Sequence, residues 1–153
     1  MDLIDKKILK ELQKNSSISL SELSRKVGLT NTPCWNRIRK MQEDKIILSK
    51  SIVLNNKKIN LPITVFLSIS IQNHSQVWLK NFEKIINKYD EITEVHRLTG
   101  TNSDYQLTIL SSSIEEYDKF QQKIISEIEC TNMTSHISLQ TIKKINYYSL
   151  DYI

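Results

Sequence analysis

The chain has 153 residues, 39% hydrophobic and 25% charged, a balance that fits a folded soluble protein and excludes a disordered one. Its net charge of +4 is unevenly distributed: residues 1–60 hold 13 Lys/Arg against 6 Asp/Glu, and residues 61–153 hold 8 against 11. The first part suits a polyanionic partner and the second does not.

Asp2 is placed to cap a first helix, along which Ile4, Ile8, Leu9 and Leu12 recur at helical spacing. Ser19 and Glu22 have the spacing of a capping box and open a second helix, with Leu20, Leu23 and Val27 facing inward. Val27-Gly28-Leu29-Thr30 reads as a helix stop, a tight turn and a helix restart, the layout of a helix-turn-helix. Cys34, Ile38 and Met41 form the apolar stripe of the third helix, and Pro33 fits only in its first turn. Beyond Lys45 the run ILSKSIVLNNKKIN has two short β-rich stretches around polar turn residues, which predicts a hairpin or wing.

The second half alternates two periodicities. Ile63, Val65, Leu67, Ile69 and Ile71 repeat at every second position, as in a half-buried strand. Trp78, Leu79, Phe82, Ile85, Ile86 and Tyr89 then run at helical spacing. Strands are expected over 92–98 and 105–110, joined by Thr99-Gly100-Thr101-Asn102-Ser103-Asp104. Ser113 with Glu116 opens a helix that buries Tyr117, Phe120, Ile124 and Ile128, and Ile137 and Leu139 mark a last strand. The class is α+β: a winged helix-turn-helix over 1–48, a wing or linker over 49–61, a βαββαβ ferredoxin-like domain over 62–145, and a tail over 146–153. Helices on one side of such a sheet leave its other face open, which is a physical reason to expect dimers.

With Cys34, Ile38 and Met41 facing inward, the opposite side of the third helix carries Thr32, Asn36 and Arg39, flanked by Trp35 and Lys40. Arg takes guanine bidentately and Asn takes adenine, so Arg39 and Asn36 are the expected base readers. Arg37 falls nearer the core edge and is expected to hold a phosphate or a carboxylate. Thr30, Asn31 and Thr32 lie at the helix N-terminus, where Thr30 and Thr32 suit phosphate contacts. Trp35 is left with two readings, a wedge against the DNA backbone or a side chain packed on the first helix. Double-stranded DNA is the expected partner.

Catalysis finds no support. There is no Gly-rich phosphate loop, nucleophile elbow or metal-ligand spacing, and His74, His96 and His136 stand isolated. Cys34 and Cys130 are far apart without CxxC or Cys/His spacing, so no cofactor, metal or disulfide framework is expected. No apolar run approaches the ~18 residues of a membrane span and no signal peptide is visible, so a cytoplasmic protein without membrane attachment is expected.

Asp5-Xaa-Lys7-Ile8-Leu9, Leu23-Ser24-Xaa-Xaa-Val27-Gly28-Leu29-Thr30 and Thr32-Pro33-Cys34-Trp35-Asn36-Arg37-Ile38 resemble the N-terminal domain of the Lrp/AsnC (leucine-responsive, feast/famine) transcriptional regulators, in particular a TPCW-x-RI bacterial branch. Thr99-Gly100, Asp104-Tyr105, Glu116-Tyr117, Phe120, Ser138 to Lys143 and Leu150-Asp151-Tyr152 extend the resemblance over essentially the whole chain. The resemblance implies a DNA-binding domain tethered to an ACT-like (RAM) effector domain that pairs through its sheets into dimers, assembles to tetramers or octamers, and binds an amino acid or related metabolite. Carried over by position, the effector site comprises Thr99, Gly100, Thr101, Asn102, Ser103, Asp104 and Ser135. There Asp104 would meet an α-ammonium group and loop N–H groups an α-carboxylate.

Two departures from the family pattern fall in that region. One extra residue separates Gly100 from Asp104-Tyr105, with Thr101 where Asp is common, and Glu129-Cys130-Thr131-Asn132 replaces a Pro-Gly-Val turn. They leave a ligand-independent DNA-organising protein as the alternative to a ligand-responsive regulator. A siroheme decarboxylase-like enzyme, related to the family in fold, is the remote third reading.

Overall fold

The computed structural model describes residues 1–100, 103–145 and 147–152. It divides into two compact units: Met1–Val53 together with the C-terminal segment from Lys143 on, and Leu54–Ile142.

The first unit holds α1 (Leu3–Lys14), α2 (Leu20–Val27) and α3 (Asn31–Glu43). A reciprocal box opens α1: the Asp2 carboxylate accepts the N–H groups of Ile4 and Asp5, and the Asp5 carboxylate accepts that of Asp2. At α2 only half of the expected box forms. Ser19 Oγ accepts the Glu22 N–H at 3.2 Å, while the Glu22 carboxylate lies 3.4 Å from Lys26 Nζ. Gly28 ends α2 at φ +76°, a left-handed conformation that favours a residue without Cβ. Ile8, Leu9, Leu12, Leu23, Val27, Cys34 and Met41 are buried together, with Ile4, Leu20, Ile38 and Leu150 among the residues packed on them.

The expected hairpin after α3 does not form. No strand is assigned between Asp44 and Pro62, because the backbone groups there bond elsewhere. The N–H groups of Ile46 and Ile47 both turn back to Met41 O, and Lys58, Ile59 and Leu61 close a local turn onto Asn55 and Asn56. Leu48, Ile52, Val53 and Leu54 are left largely exposed.

The second unit contains β1 (Ile63–Ser70), α4 (Gln76–Ile86), β2 (Ile92–Arg97), β3 (Tyr105–Ser111), α5 (Ile114–Glu127) and β4 (Asn132–Ile137). Every paired strand is antiparallel and the sheet order is β2-β3-β1-β4, the ferredoxin-like arrangement of a βαββαβ chain. In β2, Thr93 is an extra residue between the Ile92–Ile109 and Glu94–Thr108 pairs, so the strand bulges there. The last strand ends at Ile137, and Leu139 lies beyond it, 98% exposed.

Val65, Leu67 and Ile69 of β1 and Leu107 and Ile109 of β3 are fully buried against Trp78 and Phe82 of α4 and Tyr117, Phe120 and Ile124 of α5. The ring centres of Trp78, Phe82 and Tyr105 lie within 5.4 Å of one another, with Trp78 stacked on Phe82 and Tyr105 tilted against both. The alternate residues of the central strands form the other face. There Phe66 pairs across to Thr108 and His136, and Thr64 to Leu110; Phe66, Thr108, Thr64 and Leu110 are half-buried, more open than the core face, and His136 is exposed.

Candidate nucleic-acid interface

Helix α3 is preceded by the N-cap Thr30, whose side chain makes no capping bond and is exposed. Thr32, Asn36, Arg39 and Lys40 are exposed along the helix, while Cys34 and Met41 are buried on the opposite side. The helical register read from the sequence is the one adopted, and it presents two amide or guanidinium side chains one turn apart. Asn31 donates from Nδ2 to Ser21 Oγ at 3.2 Å, which ties the start of α3 to α2.

The arginines of α3 divide sharply. Arg37 Nη1 lies 2.7 Å from Asp2 Oδ2 and 2.8 Å from Asp5 Oδ1, with its side chain only 33% exposed. Of the two expected partners, phosphate or carboxylate, it holds carboxylates, and it fastens α3 to the start of α1. Those carboxylates raise the Arg37 pKa, the Asp5 hydrogen bond first and the Asp2 bond second. Asp2 in turn is held below the usual carboxylate range, chiefly by the Asp5 N–H and then by Arg37.

Arg39 points outward. Its Nε donates to Glu43 Oε1 at 2.8 Å, and its guanidinium lies 5.5 Å from the centre of the Trp35 ring. Trp35 is 47% exposed and stands outside the buried cluster of that unit, with the Arg39 guanidinium over its ring. Trp35, Arg39 and Glu43 are spaced by four residues and form one stripe. The Arg39–Glu43 pair was legible as an i, i+4 spacing, whereas nothing in the sequence announces that Asp2 and Asp5 reach Arg37.

In the second unit the loop from Thr99 to Asp104 joins β2 to β3, and Thr101 and Asn102 lie outside the described residues. Thr99 and Gly100 are exposed, Ser103 is half-buried, and Gly100 has φ +143°. Asp104 is tied down: Leu98 N–H donates to its carbonyl at 2.7 Å, its own N–H donates to Ile69 O at 2.8 Å, and Ile71 N–H donates to its Oδ2 at 2.8 Å. Its other oxygen, Oδ1, lies 3.8 Å from His74 Nε2.

Ser135 sits apart from that loop, on the helix side of β4. Its Oγ shares a 2.6 Å hydrogen bond with Tyr117 OH and accepts one from Gln121 Nε2 at 3.0 Å. Burial raises the Tyr117 pKa. The sequence placed Trp78 on the apolar stripe of its helix but gave no sign that its Nε1–H donates to Glu129 O at 2.7 Å and so anchors the turn before β4. A buried indole requires such a partner. Among the described residues, no three His, Cys, Asp or Glu side chains gather into a metal-holding group, and no helix is long and apolar enough to cross a membrane.

A winged helix-turn-helix DNA-binding family model matches residues 1–47, and the Lrp/AsnC ligand binding domain model matches residues 64–147. The chain belongs to the Lrp/AsnC family. It is a DNA-binding transcriptional regulator of that type, with a helix-turn-helix unit followed by the family's ligand-binding domain. It is similar to the glutamate uptake regulatory protein of Zymomonas mobilis, with 39% identity over 94% of this chain and 87% of the relative. An AsnC family transcriptional regulator from Agrobacterium tumefaciens superposes with a TM-score of 0.94 at 38% identity, covering 100% of this chain and 99% of the other. A Neisseria meningitidis regulator, solved in complex with L-methionine, gives a TM-score of 0.93 at 25% identity, covering 99% and 98%.

Proposed function

We propose that this Lrp/AsnC regulator reads operator DNA through Asn36 and Arg39, holds phosphates through Thr30, Thr32 and Lys40, and is controlled by an amino acid bound at the loop from Thr99 to Asp104. The observation that carries the DNA part is the division of the two arginines. Arg37 is held by two carboxylates, Asp2 and Asp5, with its side chain 33% exposed, whereas Arg39 is 61% exposed and bonds Glu43 through Nε. Its Nη groups form the fork suited to guanine O6 and N7, and Asn36 lies three residues away on the same side.

For the effector, the N–H groups of Thr99 and Gly100, both exposed residues, suit an α-carboxylate. Asp104 Oδ1, which makes no contact shorter than 3.8 Å to His74, suits an α-ammonium group. The outer sheet face, with Phe66 and Leu110 half-buried amid Thr64, Ser68, Gln106 and Thr108, suits pairing with a second copy, and such dimers suit two DNA half-sites and further assembly to tetramers or octamers. Ligand would act by favouring one assembly or one arrangement of the DNA-binding units over another.

The test is a mobility-shift titration with the protein's own upstream region across a range of salt. Affinity is expected to fall linearly on a log–log plot, with a slope of about −0.9 for each phosphate held. An unshifted probe at low salt sinks the DNA-reading assignment. A second reading, a DNA organiser without ligand response, draws on the commitment of Asp104 Oδ2 to the Ile71 N–H. A thermal-shift screen of the twenty amino acids separates the two: stabilisation by one or two of them supports a sensor, and none, with DNA binding intact, supports the organiser.

A further inference from the structure

The chain crosses between its two units twice, once near Val53–Leu54 and again near Ile142–Lys143. The returning segment belongs to the DNA-binding unit and is seated there by two kinds of contact. Gln13 Nε2 donates to Tyr148 O at 3.2 Å, and Tyr148 N–H donates to Gln13 Oε1 at 2.6 Å. A side-chain amide carries one donor side and one acceptor side, so Gln13 meets the Tyr148 backbone as a neighbouring strand would. Two residues on, Leu150 packs against the buried α1–α3 cluster. Ser149 Oγ donates to Asp151 Oδ2 at 2.7 Å and closes the segment locally. The Tyr148 side chain is 84% exposed, so the seat grips backbone at that residue and takes its apolar anchor from Leu150.

We propose that the segment from Tyr147 to Tyr152 is an intramolecular strap that completes the DNA-binding unit, so that DNA affinity depends on its being seated on Gln13 and the α1–α3 core. The unit's own core is small, and Gln13 directly follows the buried Leu12, so release of the strap exposes the C-terminal end of α1. The strap also forms a second covalent link from the ligand-binding domain to the DNA-binding unit. Ten residues lie between the end of β4 at Ile137 and Tyr148. A shift of β4 therefore has a route to the helix-turn-helix apart from the segment after α3. This is independent of which α3 residues read bases and of which effector binds.

The test compares the full chain with Leu150→Asp, Gln13→Glu, a truncation lacking residues 147–153, and Leu139→Asp as a control, since Leu139 is fully solvent-facing and has no seat. Hydrogen exchange at Ile8, Leu9 and Leu12 and titration of an upstream-region DNA fragment at fixed salt are the readouts. Leu150→Asp and the truncation are expected to speed exchange in α1 by about tenfold and weaken DNA binding severalfold. Gln13→Glu keeps the acceptor for the Tyr148 N–H but sets a carboxylate against the carbonyl, so a smaller change in the same direction is expected. Leu139→Asp leaves both readouts unchanged. Wild-type exchange and DNA affinity in both Leu150→Asp and Gln13→Glu overturn the proposal. A cysteine pair placed at Gln13 and Tyr148 in a Cys130→Ser background, joined by a short bis-maleimide, supports the strap if it cross-links within one chain. Cross-linking only between chains overturns it, because the seat then belongs to a second copy.

Discussion

Five of the thirteen buried core residues of the ligand-binding domain are aromatic, and Trp78, Phe82 and Tyr105 among them form one cluster of touching rings. The seven buried residues of the helix-turn-helix unit include no aromatic ring. That unit closes its surface with charge instead: Arg37 on Asp2 and Asp5, Lys26 on Glu11 and Glu22, and a reciprocal cap at Asp2. The same protein thus uses apolar area where it senses and polar stitching where it grips DNA. Apolar burial is insensitive to salt and nearly so to pH, whereas exposed ion pairs respond to both.

The largest effect that tests this contrast comes from the sensing side. Phe82→Ala removes the middle ring of the Trp78–Phe82–Tyr105 group and is expected to cost about 3–5 kcal/mol. The two tryptophans separate the units, since Trp78 lies in the domain core and Trp35 on α3. The transition reported by Trp78 fluorescence should move down strongly while that reported by Trp35 moves little. Equal movement of both would mean that the two cores unfold as one.

Next in size is the contrast between the two arginines. Arg39→Ala is expected to relax discrimination at one base pair by about 1–3 kcal/mol, measured by competition between operator variants. Arg37→Ala should weaken binding to every variant alike, because it loosens α3 from α1 without touching a base. If Arg37→Ala instead changes sequence preference, the assignment of readers is inverted.

Much of this division was legible in the sequence. Cys34, Ile38 and Met41 set the inward face of α3, and Gly28 marked the turn, because helical periodicity and a left-handed cap are local properties. The first strand was legible because Ile63 to Ile69 alternate cleanly with one side buried, whereas the last was read from Ile137 and Leu139 and in fact runs from Asn132 to Ile137. The hairpin after Lys45 was misread because β-rich composition says nothing about whether a backbone finds a partner, and Ile46 and Ile47 found Met41 O instead. The contacts of Arg37 with Asp2 and Asp5, and of Gln13 with Tyr148, span 32 to 135 positions and carry no spacing signal. Ser135 was assigned to the site by family position alone, and its hydroxyl is held by Tyr117 and Gln121 on the helix side of the sheet.

A smaller effect separates phosphate contacts from base contacts. Lys40 is exposed beside Arg39, and Lys40→Ala should lower affinity uniformly across operator variants and reduce the log–log salt slope by about 1. Loss of discrimination without a change of slope would make Lys40 a reader instead.

The smallest expected effect, and the one that most directly opposes the two units, is acid lability. Asp2 is held below its unfolded value by the Asp5 N–H and Arg37, and Glu11 below its own by Lys26 and then Lys14. A depressed carboxylate contributes stability that is fully present above its unfolded pKa, about 3.9 for Asp and 4.3 for Glu, and is lost as pH falls through the folded value. The polar stitching of the DNA-binding unit should therefore loosen from about pH 4 downward. The ligand-binding domain has depressed carboxylates too, Glu127 beside Lys88 and Tyr89 and Glu115 beside Ser113, but it rests on the larger aromatic core. In an acid titration at low salt the Trp35 signal should change at a higher pH than the Trp78 signal. Arg37→Gln should narrow that gap, because Asp2 then lacks the cation that helps depress it. Coincident transitions in the wild type would show that the strap and linker make the two units a single cooperative block, and that the difference in their cores does not set the order of unfolding.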